Sequence, residues 1–230
     1  GIQHINSGMH YLFDLEITTN VQVILIIIIT LVATASVVSG LYRGIQLLSK
    51  VAAIMAVLLM FFMLITGPTL FILRSAIESV GYYLQNLIVS GSWMEAYQGG
   101  HWMDSWTFFY WGWWFAWAPF VGLFLARISK GRTIKEFILG VVLAPTCLTI
   151  IWIAIFGSTA LYTEIFGVGG IIESVNADIS TALFKLLEHF PFSHVSILFV
   201  VTTGIIFFVT SSDSGSLVID FISSGGREDT

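Results

Sequence analysis

Ser105-Trp106-Thr107-Phe108-Phe109-Tyr110-Trp111-Gly112-Trp113-Trp114-Phe115-Ala116-Trp117-Ala118-Pro119-Phe120-Val121-Gly122-Leu123-Phe124 contains no Asp, Glu, Lys or Arg and holds five of the chain's eight tryptophans. About 20 apolar residues in a helix cover the hydrocarbon core of a bilayer. Backbone groups in lipid must be satisfied within the segment, so a stretch of this kind is helical. The segment therefore predicts a transmembrane helix of unusual aromatic content.

The position of each ring matters. Trp102 and Trp106 fall near one end, where tryptophan belts sit at the membrane–water interface. Trp113, Trp114 and Trp117 fall near mid-span, where a belt does not explain them. Trp113, Trp117, Phe120 and Phe124 recur at helical steps and share a face. Trp114 borders that face. Pro119 removes a backbone donor and predicts a kink or opening. Gly112 and Gly122 predict room for close approach. An aromatic face beside a helix break suits a cation that has no N–H donors, because ring quadrupoles attract it. The same rings also suit packing against other helices, and spacing leaves both readings open.

Four more stretches lack charged residues, so the expected spans are 17–42, 51–73, 105–126, 137–163 and 189–212. Hydrophobic residues make up 57% of the chain and charged residues 10%, against roughly a quarter charged in soluble domains. The predicted class is an all-α polytopic membrane protein in one transmembrane unit over residues 1–230. Strands of a membrane barrel would alternate in polarity, and Ile24 to Ile29 does not. Arg43 and Lys50 in an expected loop 43–50, Arg127, Lys130, Arg132 and Lys135 in an expected loop 127–136, and Arg227 in the tail place seven of the nine basic residues on one side of those spans. The positive-inside rule makes that side cytoplasmic.

Two segments on the opposite side are too long for simple turns. Residues 74–98 place Ile77, Val80, Leu84, Leu87 and Ile88 at helical spacing among polar residues, which predicts an amphipathic surface helix. Residues 164–188 predict a loop followed by a second surface or re-entrant helix. Cys147 suits packing, and the five histidines form no metal-spaced pair. Near the end of the fifth span, Phe207 precedes Thr210-Ser211-Ser212-Asp213-Ser214. Such hydroxyls supply the hard oxygen ligands a small cation prefers. They equally suit back-bonding to their own helix. Asp213 reads either as a functional intramembrane acid or as an interfacial acid paired with a base. The chain lacks an initial methionine and a basic leader, and is expected to be an internal part of a longer protein.

The string from Asp104 to Gly131, with Trp-Thr-Phe-Phe-Tyr-Trp-Gly-Trp-Trp followed by Phe-Ala-Trp-Ala-Pro-Phe-Val-Gly-Leu-Phe-Leu-Ala-Arg-Ile-Ser-Lys-Gly, resembles the signature of the betaine/choline/carnitine transporter family. Gly67-Pro68-Thr69, Tyr83-Leu84-Gln85-Asn86, Gly131-Arg132-Thr133-Ile134 and Thr210 to Ser214 resemble further family segments.

The resemblance implies part of a LeuT-type inverted-repeat transporter, from the end of helix five through helix ten. The aromatic span would be helix eight, and 74–98 the curved helix joining the repeats. It implies that Trp114 belongs to an aromatic substrate box, with Trp113, Trp117 and Phe124 lining the central site and the path to the cytoplasm. Phe120 would border a second cation site. Phe207, Thr210 and Ser211 would belong to a sodium site in sodium-coupled members. The implied activity is secondary transport of a trimethylammonium solute such as glycine betaine, choline or carnitine across the bacterial inner membrane, an osmoprotective role. The coupling ion would be Na⁺ or H⁺, with no other metal and no cofactor. Expected partners are the solute, membrane lipid and a homotrimer, and not nucleic acid. Competing readings are a LeuT-type carrier for another solute and a non-transporting scaffold or channel subunit. A nucleophile–base pair, metal cluster or phosphate loop is missing from the sequence, so an enzyme is not expected.

Overall fold

Runs such as Ile24 to Ile29 and Val57 to Leu64 are apolar on every side, so only a helix with fully internal hydrogen bonding can place them in lipid. The computed structural model describes residues 1–38 and 41–225, and among these all regular structure is helical. In chain order the helices are α1 (Ile2–Phe13), α2 (Thr19–Val38), α3 (Leu41–Thr66), α4 (Thr69–Gly91), α5 (Phe109–Ile128), α6 (Ile134–Ile138), α7 (Ala144–Phe166), α8 (Ile171–Ala177), α9 (Ala182–Glu188) and α10 (Ser193–Ser223). A π-helical turn, Met103–Phe108, leads directly into α5, and another, Leu139–Leu143, joins α6 to α7.

Among the described residues, four helical stretches are long and apolar enough to cross a membrane: Leu47–Thr66, Met103–Ile128, Ile134–Phe166 and Ser193–Ser223. The expected span 17–42 is α2, with a shorter apolar part, Thr19–Ala35; residues 39 and 40 lie outside the described residues. Arg227, one of the charges used for orientation, also lies outside them. The basic segment 43–50 is helical rather than a loop, because α3 already begins at Leu41.

The expected span 51–73 is broken. Pro68 has no N–H and disfavours the α conformation at Gly67. The chain turns there, and Thr69 Oγ1 closes the turn by donating to the Leu64 carbonyl at 2.6 Å. The helix expected at 74–98 therefore starts earlier, at Thr69, and ends at Gly91, with an irregular loop to His101.

The core joins α1, α2, α3 and α10, with α7 packed on α3 and α4 packed on α7. Ile29, Leu59, Met63, Ile155, Ile197 and Val201 are among its buried side chains. Helix α1, which the sequence left as an outer segment, belongs to this core. Its Asn6, Ser7 and Gly8 are buried, and a methyl at Gly8 would collide with Val201 and Phe184. Segment 164–188, expected as a loop and one surface or re-entrant helix, is a loop followed by two short helices. Its short helices α8 and α9 bury Ile171, Phe184, Leu186 and Leu187. On the other side, Ile26, Ile27, Leu31, Phe61 and Ile153 stay exposed, as lipid-facing positions do.

Candidate functional site

Helix α5 buries none of its residues. It meets α10 through its C-terminal half, where the Phe120 ring lies 3.7 Å from a methyl placed on Gly215. Below that contact the Arg127 guanidinium sits 5.7 Å from the centre of the Phe221 ring. The aromatic N-terminal half is left open, with Trp113 43%, Trp114 55% and Trp117 40% exposed.

The three mid-span tryptophans form a triangle. Trp113 stacks on Trp117 at 5.3 Å with 24° between planes. Trp114 lies 5.9 Å from Trp113 at 48° and 5.9 Å from Trp117 at 72°. These separations lie within the range of favourable ring pairs. The three pairs are stacked, tilted and edge-on, so the ring faces point in more than one direction. That geometry suits a diffuse cation.

The triangle continues upward as a ladder. Trp102 stacks on Trp106 at 5.4 Å, and Trp106 on Tyr110 at 6.1 Å with 7° between planes. Tyr110 then meets Trp113 edge-on at 5.8 Å. Spacing alone divided interface anchors from mid-span rings; the structure joins them, because the wider π turn keeps rings four residues apart near one face. Tyr110 is a member that sequence reasoning passed over, although its four- and three-residue steps from Trp106 and to Trp113 were readable.

Pro119 does not end the helix, which runs from Phe109 to Ile128. Nothing described lies within 4 Å of a methyl at Gly112 or Gly122, so neither glycine serves a close approach within the described residues. Phe124 is separate from the tryptophan triangle. It lines a cleft of about 300 Å³ with Leu123, Arg127, Val218 and Phe221.

The hydroxyl segment differs from expectation in its local structure. Helix α10 continues unbroken to Ser223, so Thr210 to Ser214 sit inside a helix, not near its end. The charge at Asp213 marked a boundary in the sequence, but Asp213 is buried at 1% exposure. Thr210 is buried, and its hydroxyl donates to the carbonyls of Ile206 at 3.0 Å and Phe207 at 3.1 Å. Ser214 donates to the Thr210 carbonyl at 2.9 Å. Back-bonding uses the hydroxyl proton and leaves oxygen lone pairs for a cation. Ser211 and Phe207 are exposed. Phe120 reaches α10 at Gly215, one turn beyond Ser211. Among the described residues, three or more His, Cys, Asp or Glu are nowhere grouped to hold a metal ion.

A sequence-family model described as the BCCT, betaine/carnitine/choline family transporter, matches residues 1–230. A glycine betaine transporter of Acinetobacter baylyi is 42% identical over 229 residues, covering 99% of this chain and 35% of the relative. A glycine betaine transporter of Bacillus subtilis is 40% identical over 228 residues, covering 98% and 44%. A glycine betaine/proline/choline transporter of Vibrio parahaemolyticus is 38% identical over 229 residues, covering 100% and 41%. The chain thus spans less than half the length of these relatives.

Proposed function

The chain belongs to the betaine/carnitine/choline transporter family of integral membrane transporters, and on that premise we propose that the full-length protein is a secondary transporter of a quaternary ammonium compatible solute. Glycine betaine and choline are the leading substrates, moved across the plasma membrane with Na⁺ or H⁺.

The observation that carries this reading is the triangle of Trp113, Trp114 and Trp117, with ring centres 5.3–5.9 Å apart on an open helix face. A trimethylammonium head has methyl groups where an ordinary ammonium has N–H donors. It gains little from carbonyls and much from ring faces, about 2 kcal/mol per ring when desolvated. Trp114, the most exposed of the three, is the box residue in this proposal. Trp113 and Trp117 hold it in place and line the path, and Phe124 lines the path further down.

The chain then supplies one half of the site, within a LeuT-type inverted-repeat fold and one transmembrane unit. Oxygens of Thr210 and Ser211, with Phe207 and Phe120 alongside, are the chain's contribution to coupling Na⁺. Uptake of radiolabelled betaine, choline and carnitine is measured for the full-length protein with and without a sodium gradient. Accumulation of any of the three supports the reading; accumulation of none overturns it. The homotrimer is proposed with the transporter and is tested by its mass in detergent.

A further inference from the structure

Glu95 lies in the loop between α4 and the aromatic helix, with its backbone in the left-handed region at φ 51°. A glutamate holds that conformation only where its surroundings impose it. Here the imposing contact is clear. The Glu95 Oε2 atom accepts the backbone N–H of Met103 at 2.7 Å, and Met103 is buried and opens the π turn.

First-turn amides have no partner inside their own helix. A carboxylate there also meets the positive end of the helix dipole. Gly100 completes the arrangement, because a methyl at that position would collide with the Glu95 carboxylate. The ring ladder begins one residue before Met103, at Trp102, and passes by direct ring contacts through Trp106, Tyr110 and Trp113 to Trp117.

We propose that Glu95 is a positioning residue for substrate binding: its latch on the Met103 amide, seated over Gly100, fixes the height and rotation of the aromatic helix and so holds Trp113, Trp114 and Trp117 toward the substrate. The inference rests on the substrate reading above.

The test compares uptake by full-length wild type, Glu95→Ala, Glu95→Gln, Gly100→Ala and the double variant Glu95→Ala/Gly100→Ala, with membrane protein levels matched. Loss of the latch raises KM for betaine about tenfold in Glu95→Ala, the scale of a lost helix cap. Glu95→Gln keeps an acceptor oxygen and stays within about twofold of wild type. Gly100→Ala displaces the carboxylate and matches Glu95→Ala, and the double variant is no worse than either. A control, Glu164→Ala, removes the carboxylate that accepts the amides of Ile171 and Ile172 at 2.7 and 3.3 Å, far from the ladder in sequence. It lowers thermal stability without changing KM. A wild-type KM in Glu95→Ala, or additive effects in the double variant, overturns the latch.

If wild type accumulates none of the three solutes, the substrate reading fails and the latch is judged by amide hydrogen exchange. Faster exchange across 103–108 in Glu95→Ala but not in Glu95→Gln supports it. Equal exchange in wild type and Glu95→Ala overturns it.

Discussion

The indole of Trp113 stacks on that of Trp117 at 5.3 Å with 24° between their planes. One helical turn separates them, so the stack is built by α5 alone and needs no other helix to form. Trp114 stands against the pair edge-on to Trp117, and this places a third ring beside a preformed two-ring wall. A box half that is ordered before substrate arrives loses less entropy on binding.

Trp114→Leu in the full-length protein is therefore expected to raise the KM for glycine betaine about 30-fold, corresponding to one desolvated ring of about 2 kcal/mol. Trp114→Phe keeps a ring face and falls between the two. Equal KM values for wild type and Trp114→Leu in radiolabelled uptake would remove the cation–π argument.

Thr210→Ala and Ser211→Ala remove the two oxygens assigned to Na⁺. Both variants should need more Na⁺ for half-maximal uptake, with Thr210→Ala the stronger because its oxygen is buried. Loss of the back-bond alone leaves the ion dependence unchanged, since the Ile206 carbonyl is already part of the helix. Proton-driven uptake that ignores Na⁺ contradicts the assignment.

Two helical glycines should respond oppositely. Gly8→Ala pushes a methyl into Val201 and Phe184, an overpacking that costs about 1–3 kcal/mol. Gly215→Ala meets the Phe120 ring at an ordinary 3.7 Å and gains helix propensity, up to about 1 kcal/mol. Melting temperatures in detergent decide this: Gly8→Ala falls, and Gly215→Ala holds or rises. A fall in both means that α5 sits tighter on α10 than the distance shows.

The Ser7 and Ser180 hydroxyls lie 2.6 Å apart in a buried pair that ties α1 to the 164–188 segment. Ser7→Ala strands the Ser180 hydroxyl and costs about 1–3 kcal/mol. The double variant Ser7→Ala/Ser180→Ala strands neither and should cost less than the two single losses together. Additive losses across this cycle would show that the pair contributes nothing as a pair.

Hydrophobic length was legible along the chain because lipid demands it locally. About 20 apolar residues span a bilayer whatever surrounds them, and the aromatic helix needed no partner to be identified. Two limits came from treating charge as punctuation. Asp213 ended a span in the sequence but is buried inside α10, because a charge accommodated by packing no longer marks water. Segment 43–50 read as a loop from its bases, yet helical hydrogen bonds tolerate Arg and Lys near a helix start.

The helical class, the apolar stretches, the tryptophan face and the family resemblance were all readable along the chain, since each depends on residues close in sequence. The tertiary packing decided that Gly8 must be a glycine, that Phe184, Leu186 and Leu187 of α9 enter the core, and that Phe120 reaches α10 at Gly215. It also decided that Glu95 holds the amide of Met103. A capping box spans three residues and can be read directly. A carboxylate eight residues away from its amide depends on how the loop between them folds, and no spacing rule encodes that.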